Sequence, residues 1–373
     1  MPRAATIAVG ALLFGSLLSA GAARAQAVRH AVVVGNDVGL ASAEPLKYAE
    51  RDAVRMARLL REIGGVREEN LALLTGAAPG DLRAAFDAVH ARAAAAAAAG
   101  AKEVVFVFYY SGHADSGWLR MGGRGIALEE IRRRLEQMPA KVRVAILDAC
   151  QSGAITRSKG GVVVSPFLEE RPVRVEGLVI LTSASAAEAA QESDWLGSSF
   201  FTHHLISGLR GPADVNGDGV VTALEAYDHA YRFTVRETEA TVEGAQHPTF
   251  LYALEGEGDV ELTALERGSA RVDLAAEIAG TVMLVGPDGR IEAEVVKRAG
   301  APITLALVPG SYEVRWRSAD ALWVAAIAVE DGQRRTLVPA LFERRDLVLA
   351  AAKGGRAAAA EPGAVDDGRP RPL

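Results

Sequence analysis

VVFVFYYSGH, residues Val104–His113, is a mostly apolar run that predicts a buried strand and ends in a histidine. A second run of the same kind, Val142–Cys150 or VRVAILDAC, ends in the only cysteine of the chain. Continuous apolar strands separated by helical segments are typical of a parallel sheet that is covered on both faces. Catalytic groups in such sheets collect beyond the carboxyl ends of the strands. The sequence therefore predicts that His113 and Cys150 form one site.

The same alternation of strands and helices extends from about Val28 to Asp259. Further strands are predicted at 31–34, 71–74 and 178–181, and helices at 46–63, 81–99, 128–135 and 200–209. This order predicts an α/β fold with a mostly parallel sheet, in a domain that spans residues 26–256.

After about Glu261 the pattern changes to short strands separated by Pro/Gly turns such as Gly286–Gly289. Strands at this spacing predict a small all-β sandwich, which we place at residues 257–346. Residues 347–373 are mostly Ala, Gly, Pro and charged residues, so we expect a disordered tail.

The first 25 residues have the three parts of a secretory signal peptide. Met1–Arg3 is basic, Ala4–Ala22 is apolar, and Ala23–Ala25 is a small-x-small cleavage pattern. A retained membrane anchor is the alternative, but a short apolar stretch rich in small residues favours removal. We expect an exported protein, periplasmic or extracellular, with no stable membrane insertion after cleavage.

Composition limits the possible partners. The formal net charge of the 373 residues is −6 and no basic patch interleaved with aromatic residues occurs, so we expect no nucleic acid partner. A single cysteine cannot form an internal disulfide. In an exported protein it indicates an intermolecular bridge or a free reactive thiol.

Two motifs carry a resemblance to a known family. Tyr110–His113 (YSGH) and Asp148–Gly153 (DACQSG) resemble the catalytic motifs of caspase-like cysteine peptidases, above all those of bacterial relatives of metacaspases. The resemblance covers about residues 28–256. It implies a three-layer α/β/α caspase-hemoglobinase-like fold and a cysteine endopeptidase that needs no organic cofactor. Two positions depart from the family pattern: Ala114 replaces a common glycine, and Gln151 replaces a common histidine or arginine.

The resemblance also implies a catalytic role for each motif. Cys150 as thiolate would attack a peptide carbonyl, and His113 would move the protons. The backbone N–H groups of Ala114 and Cys150 would hold the oxyanion. The alternatives are an inert core cysteine and a hydrogen-bonded structural histidine. We expect structural roles for the other histidines considered: His90, His203, His204, His229 and His247.

The resemblance further places Asp52 and Ser111 in a substrate pocket. Asp148 lies two residues before Cys150, so on a strand the two side chains share a face. Two carboxylates in a concave pocket would bind a guanidinium through charge-assisted hydrogen bonds. The resemblance therefore implies protein substrates that are cleaved after Arg or Lys. For Asp52 the alternative is a solvated helix carboxylate. The basic residues within 154–176 leave open either self-cleavage there or a loop kept soluble by charge.

A calcium site is predicted at Asp214–Glu225, DVNGDGVVTALE, which matches the twelve-residue EF-hand loop. The expected ligands are the side chains of Asp214, Asn216, Asp218, Thr222 and Glu225 and the carbonyl of Val220. The alternative is a metal-free turn between two helices. No second loop is visible in the sequence, so both the affinity and the role of Ca²⁺, structural or regulatory, stay open.

Two other functions are compatible with these residues. One is a catalytically silent, calcium-stabilised module of the same fold that acts in binding. The other is a redox thiol, which would lack a resolving cysteine or a Cys-x-x-Cys motif. The complete Cys/His pair and the two pocket aspartates favour the peptidase.

Overall fold

The computed structural model describes residues 27–115, 117–150, 176–185, 188–256 and 258–345. The predicted signal peptide, Gln151, nearly all of the segment 154–176 and the predicted tail lie outside these residues. None of the helices described within them is long and apolar enough to cross a membrane.

The first part of the chain is built around a six-stranded sheet. In chain order its elements are β1 (Val28–Asn36), α1 (Ala49–Glu62), β2 (Val66–Thr75), α2 (Pro79–Ala98), β3 (Val104–Gly112), β4 (Ala114–Asp115), β5 (Trp118–Met121), β6 (Arg124–Ala127), α3 (Leu128–Glu136), β7 (Val142–Asp148), β8 (Glu176–Thr182), β9 (Glu192–Ser193), β10 (Ser198–Ser199), α4 (Phe200–Leu209), β11 (Val220–Thr222), α5 (Ala223–Thr238), β12 (Thr249–Glu255) and β13 (Glu261–Ala264). The strand order in the sheet is β12-β8-β7-β3-β1-β2. All neighbours pair in parallel except β12, which runs antiparallel to β8.

The middle of each central strand is apolar because both faces of the sheet are covered. In β1, Ala31 and Val33 pack into a core shared with α1, α4 and α5, whereas Val32 and Val34 pack against α2 and α3. Successive side chains of a strand point to opposite faces, so an uninterrupted apolar run fills two cores at once. The predicted three-layer α/β/α fold with a mostly parallel sheet is confirmed.

The C-terminal part is a small all-β sandwich, as predicted. Its strands are β14 (Ala270–Leu274), β15 (Gly280–Val285), β16 (Ile291–Lys297), β17 (Ile303–Leu307), β18 (Gly310–Arg317), β19 (Leu322–Val329), β20 (Arg334–Leu337) and β21 (Glu343–Arg345). They form sheets of order β17-β14-β20 and β16-β15-β18-β19-β21, with a separate apolar core between them. β13 pairs instead with β11 of the first part, so the sandwich strands begin at Ala270 rather than at residue 257.

Two helices begin at side-chain caps. The Ser199 hydroxyl accepts the N–H of Thr202 at the start of α4. At the start of α5, Thr222 and Glu225 form a reciprocal capping box. Such caps satisfy backbone donors that the helix itself leaves unpaired. Both caps involve residues of the sites described next.

Candidate active site

The two predicted catalytic residues lie at the same edge of the sheet. β3 and β7 are parallel neighbours, and Ser111 is the register partner of Asp148. His113 and Cys150 each follow two residues later, just beyond the carboxyl ends of these strands. Strand pairing therefore brings a histidine and a cysteine together that are far apart in the sequence.

The imidazole of His113 has the hydrogen-bonding state of a base. Its Nε2 is buried and has no partner within the described part of the chain. The backbone carbonyl of Glu44 accepts a hydrogen bond from the ring, which therefore falls on Nδ1. Burial lowers the pKa of His113, and the Glu44 carbonyl and the Asp115 carboxylate offset part of that effect. The ring is thus neutral near pH 7, with its proton on Nδ1 and an acceptor at Nε2.

The Cys150 thiol is protonated in this resting arrangement. Its Sγ is partly buried and lies 4.0 Å from the carbonyl oxygen of Ala190. Burial raises the pKa of Cys150, and the negative charge of Asp148 raises it further. Because His113 is also neutral, the free site holds a thiol and an imidazole rather than an ion pair.

Two residues that the sequence did not single out hold His113 in place. A Cβ atom at Gly39 would lie 2.7 Å from Cδ2 of the imidazole, so the Gly39 backbone packs directly against the ring. The Tyr110 hydroxyl lies 2.8 Å from the carbonyl oxygen of His113 and 2.6 Å from that of Arg120. The motif Tyr110–His113 contains the tyrosine, but nothing in the sequence indicates the contact of Gly39.

The backbone N–H of Ala114 takes no part in the β4–β5 ladder. The N–H of Arg120 donates to the carbonyl of His113, and Ala114 pairs with Leu119 in the β4–β5 ladder. Hydrogen-bonded and non-hydrogen-bonded pairs alternate along an antiparallel ladder. The N–H of Ala114 therefore points away from β5.

The predicted pocket carboxylates lie together but below the surface. Asp52 is 0 % exposed and Asp148 is 3 % exposed. Ser199 bridges them: its N–H donates to Oδ2 of Asp52 at 2.9 Å, and its hydroxyl donates to Oδ2 of Asp148. Thr202 also donates to Oδ2 of Asp148, at 2.6 Å. Ser111, equally buried, lies beside Asp148 across the β3–β7 pair.

Burial disfavours the charged form of both aspartates. It raises the pKa of Asp52 to about 7, although the nearby guanidinium of Arg55 and the bonds from Ser198 and Ser199 act in the opposite direction. Burial also raises the pKa of Asp148. A cation beside either carboxyl would favour its ionised form.

A third acid, Glu192, lies nearby and was missed at the sequence level. Its carboxylate accepts the backbone N–H groups of Lys47 and Tyr48, each at 3.0 Å, just before α1. Burial raises the pKa of Glu192, and the charges of Asp148 and Asp37 add to that effect. No sequence signal indicates it, because its partners are about 145 residues away.

The predicted calcium loop connects α4 to α5. Asp214 accepts the N–H groups of Gly217, Asp218 and Gly219, and Glu225 accepts that of Val215. β11, at the end of the loop, pairs with β13. As the structure stands, no three His, Cys, Asp or Glu side chains in the described ranges are arranged to hold a metal ion.

The other histidines that were expected to be structural contact carboxylates, pack in the helix layer or lie at the surface. His203, His204 and His229 are buried on α4 and α5, where His203 contacts Glu294 at 3.2 Å and His204 contacts Glu237 at 3.0 Å. His247 pairs with Glu188 at 2.9 Å, and His90 is exposed on α2.

Comparisons with known proteins agree with this architecture. The family model described as "Caspase domain" matches residues 28–255. Among solved structures, the search returns caspase-1 from Spodoptera frugiperda, which is 12 % identical and has a TM-score of 0.45 over 61 % of this chain and 89 % of that chain. A search of curated protein sequences finds no match. The match over residues 28–255 shows that the chain belongs to the caspase-domain family of cysteine peptidases.

Proposed function

We propose that the chain is an endopeptidase that cleaves after Arg or Lys with Cys150 as nucleophile and His113 as proton carrier. The observation that carries the proposal is the pairing of Ser111 with Asp148 across two parallel strands. Residues 113 and 150 therefore follow neighbouring strands at the carboxyl edge of the sheet, which supports their acting together. The pairing also sets a buried carboxylate two residues from the nucleophile.

The hydrogen-bonding state of the pair suggests the order of events. Nε2 of His113 takes the proton of the Cys150 thiol as Sγ attacks the scissile carbonyl carbon, whose π electrons move to oxygen. The N–H groups of Ala114 and Cys150 hold that oxyanion. Collapse breaks the C–N bond, and Nε2–H protonates the leaving amine. Water then hydrolyses the thioester by the same route and releases the free thiol.

The preference for a basic residue at the cleavage site rests on the acids behind the nucleophile. Asp148 and Asp52 share Ser199 as a donor, and Glu192 lies close enough for the charge of Asp148 to raise the pKa of Glu192. A guanidinium binds a carboxylate with strong charge-assisted hydrogen bonds. Substrate would reach Asp148 by displacing the Ser199 hydroxyl, and the arriving guanidinium would favour the ionised form of Asp52 next to it.

Hydrolysis of fluorogenic peptides that end in Arg, Lys or Asp tests this proposal. The residue 26–373 protein and its Cys150→Ala and His113→Ala variants would be assayed at equal concentration. We expect the parent protein to release the fluorophore from the Arg and Lys peptides. We expect neither variant to do so. A folded parent protein that cleaves none of the three peptides would support the catalytically silent binding module instead.

We also propose that the loop 214–225 binds Ca²⁺ as a structural ion. Burial raises the pKa of Asp214, and the charges of Asp218 and Glu225 raise it further. A divalent cation would relieve this crowding of like charges, and all the oxygen ligand types of an EF-hand loop are present. EF-hand loops usually pair with a second EF-hand loop. Here β11, in the last part of the loop, pairs with β13 instead.

Thermal unfolding with Ca²⁺, Mg²⁺ or chelator tests the calcium proposal. We expect Ca²⁺ to raise the midpoint in the parent protein and not in Glu225→Gln. The amide keeps the cap of α5 but removes a charged ligand. An equal response of both proteins to Ca²⁺ would contradict a site in this loop.

Export and autoprocessing concern residues outside those described. We propose that residues 1–25 direct export and are removed, so that the mature protein begins at Gln26 in the periplasm or medium of a bacterium. N-terminal sequencing of the secreted protein tests this. Intact mass after incubation with calcium tests self-cleavage within 154–176, which a single uncut chain would contradict.

A further inference from the structure

One arginine connects the substrate pocket to the C-terminal sandwich. Arg55 of α1 is 7 % exposed. Its Nη1 donates to the Ser198 hydroxyl at 3.0 Å and lies 3.6 Å from Oδ1 of Asp52. Its Nη2 lies 3.3 Å from the backbone carbonyl oxygen of Ile291, in β16. A single guanidinium therefore contacts a pocket acid, the strand that covers this acid, and the sandwich.

The segment 192–199, which we call the pocket wall, is held between α1 and the sandwich. On one side Glu192 binds the backbone that precedes α1. On the other side Leu196 packs against Val285 and Ile291. The wall ends in Ser198 and Ser199, whose hydroxyl and N–H bind the Asp52 carboxylate at 2.6 and 2.9 Å. Displacement of the wall would change the hydrogen bonds of both pocket aspartates.

We propose that Arg55 is a positioning residue for substrate specificity and that the sandwich, through Ile291, forms a structural part of the substrate pocket. This proposal rests on the proposed function, in which the pocket binds the Arg or Lys side chain of the substrate. Arg55 touches none of the reacting atoms. It acts on Asp52 and on the pocket wall.

Arginine suits this position for a geometric reason. A planar guanidinium presents several donors in fixed directions, whereas an ammonium group is a compact point charge. Arg55 can therefore contact Ser198 and Ile291 at once. Its charge also offsets the burial of the Asp52 carboxylate, since a buried charge that loses its partner is costly.

The same helix offers a matched control. Arg58, one turn after Arg55, forms an ion pair with Glu292, the residue next to Ile291. Both arginines thus connect α1 to β16, but only Arg55 contacts a pocket residue in these bonds. Arg55→Met and Arg58→Met each remove one contact of the interface and keep an unbranched side chain.

The experiment compares the parent protein with both variants by steady-state kinetics on Arg and Lys peptides and by hydrogen exchange of the peptide covering 192–199. For Arg55→Met we expect KM for the Arg peptide to rise about tenfold or more with kcat changed less than about threefold, which is loss of binding rather than of chemistry. We also expect faster exchange over 192–199. For Arg58→Met we expect both quantities to stay near those of the parent protein.

Each result decides the proposal. Equal changes in the two variants, or no change in Arg55→Met, would overturn it. If Arg55→Met does not fold, Arg55→Lys replaces it, because lysine keeps the charge and cannot reach Ser198 and Ile291 together. If the parent protein cleaves no basic peptide, the proposed function has failed, and the exchange comparison alone decides whether Arg55 positions the wall.

Discussion

The backbone N–H of Ser199 binds the carboxylate of Asp52 at 2.9 Å at the point where α4 begins. The hydroxyl of the same serine binds Asp148. One cap residue thus links the helix layer to the acid behind the nucleophile. Two carboxyl groups that are 96 positions apart in the sequence therefore share one donor residue in the folded chain.

Replacement of either aspartate should remove the preference for basic substrates. Asp148→Asn and Asp52→Asn keep the shape of the side chain and lose its charge. Removal of one partner of a buried charge pair costs about 2–5 kcal/mol. We therefore expect kcat/KM for Arg peptides to fall roughly 30-fold or more. Peptides with an uncharged residue at the same position provide the control. Unchanged cleavage after Arg in both variants would eliminate the acidic pocket.

Binding of a basic ligand should weaken in acid. The pKa of Asp52 is about 7 in the free protein, and a guanidinium favours the ionised carboxylate. The affinity for the basic ligand should therefore be constant above that pH and fall up to about tenfold per pH unit below it. The reason is that the Asp52 carboxyl must lose its proton before it can pair with the guanidinium. Calorimetry with an Arg-ended peptide and the Cys150→Ala protein measures this. Asp52→Asn should remove this pH dependence of the affinity. If the pH dependence is unchanged in Asp52→Asn, it arises from another group.

The free thiol should react slowly at neutral pH. Burial raises the pKa of Cys150 and lowers that of His113, so no thiolate–imidazolium pair forms before substrate binds. Alkylation of Cys150 by iodoacetamide should accelerate only as the pH rises above the ordinary range of a thiol. A fast plateau that already exists below pH 7 would indicate a preformed ion pair.

Gly39→Ala should slow catalysis while leaving the fold intact. The added Cβ would lie 2.7 Å from the His113 ring, which would have to shift. A misplacement of about 1 Å costs on the order of a hundredfold in rate, so we expect kcat to fall about tenfold to a hundredfold. Gly80→Ala is the control, since nothing lies within 4 Å of its Cβ. Equal kcat values in the two variants would show that Gly39 does not position the ring.

The buried imidazole of His30 in β1 is expected to lower the free energy of unfolding. The residue is 1 % exposed, and neither ring nitrogen has a partner in the described part of the chain. An unsatisfied buried polar group costs about 1–3 kcal/mol, so His30→Leu should raise the free energy of unfolding by about 1 kcal/mol. Denaturant unfolding measures it, with His90→Leu on the surface as control. A loss of stability in His30→Leu alone would mean that the imidazole has a role.

The sequence indicated the layers of the fold because its strongest signals are local. The apolar runs that became β3 and β7 and the helical spacing of α4 depend only on neighbouring residues. The catalytic assignments of His113 and Cys150 stay predictions until activity is measured. The partners of Asp52 were invisible, because Ser198 and Ser199 lie about 146 residues away and come into contact only through the folded chain.

The contacts between the first part of the chain and the sandwich region could not be predicted from the sequence either. The predicted sandwich region began at residue 257, but a strand pattern does not specify its neighbour, and β13 pairs with β11 at the predicted calcium loop. The contact of Arg55 with the Ile291 carbonyl spans 236 residues and involves a backbone atom. No side-chain pattern in a single sequence encodes such a contact.

Covalent labelling with peptidyl chloromethyl ketones tests the central claim most directly. Arg-ended and Asp-ended reagents of equal length would be added to the residue 26–373 protein, and the adduct would be mapped by mass spectrometry. The account predicts one adduct on Cys150 that forms at least about tenfold faster with the Arg reagent and is lost in His113→Ala. Labelling at equal rates, or no adduct on Cys150 in a folded protein, would contradict it.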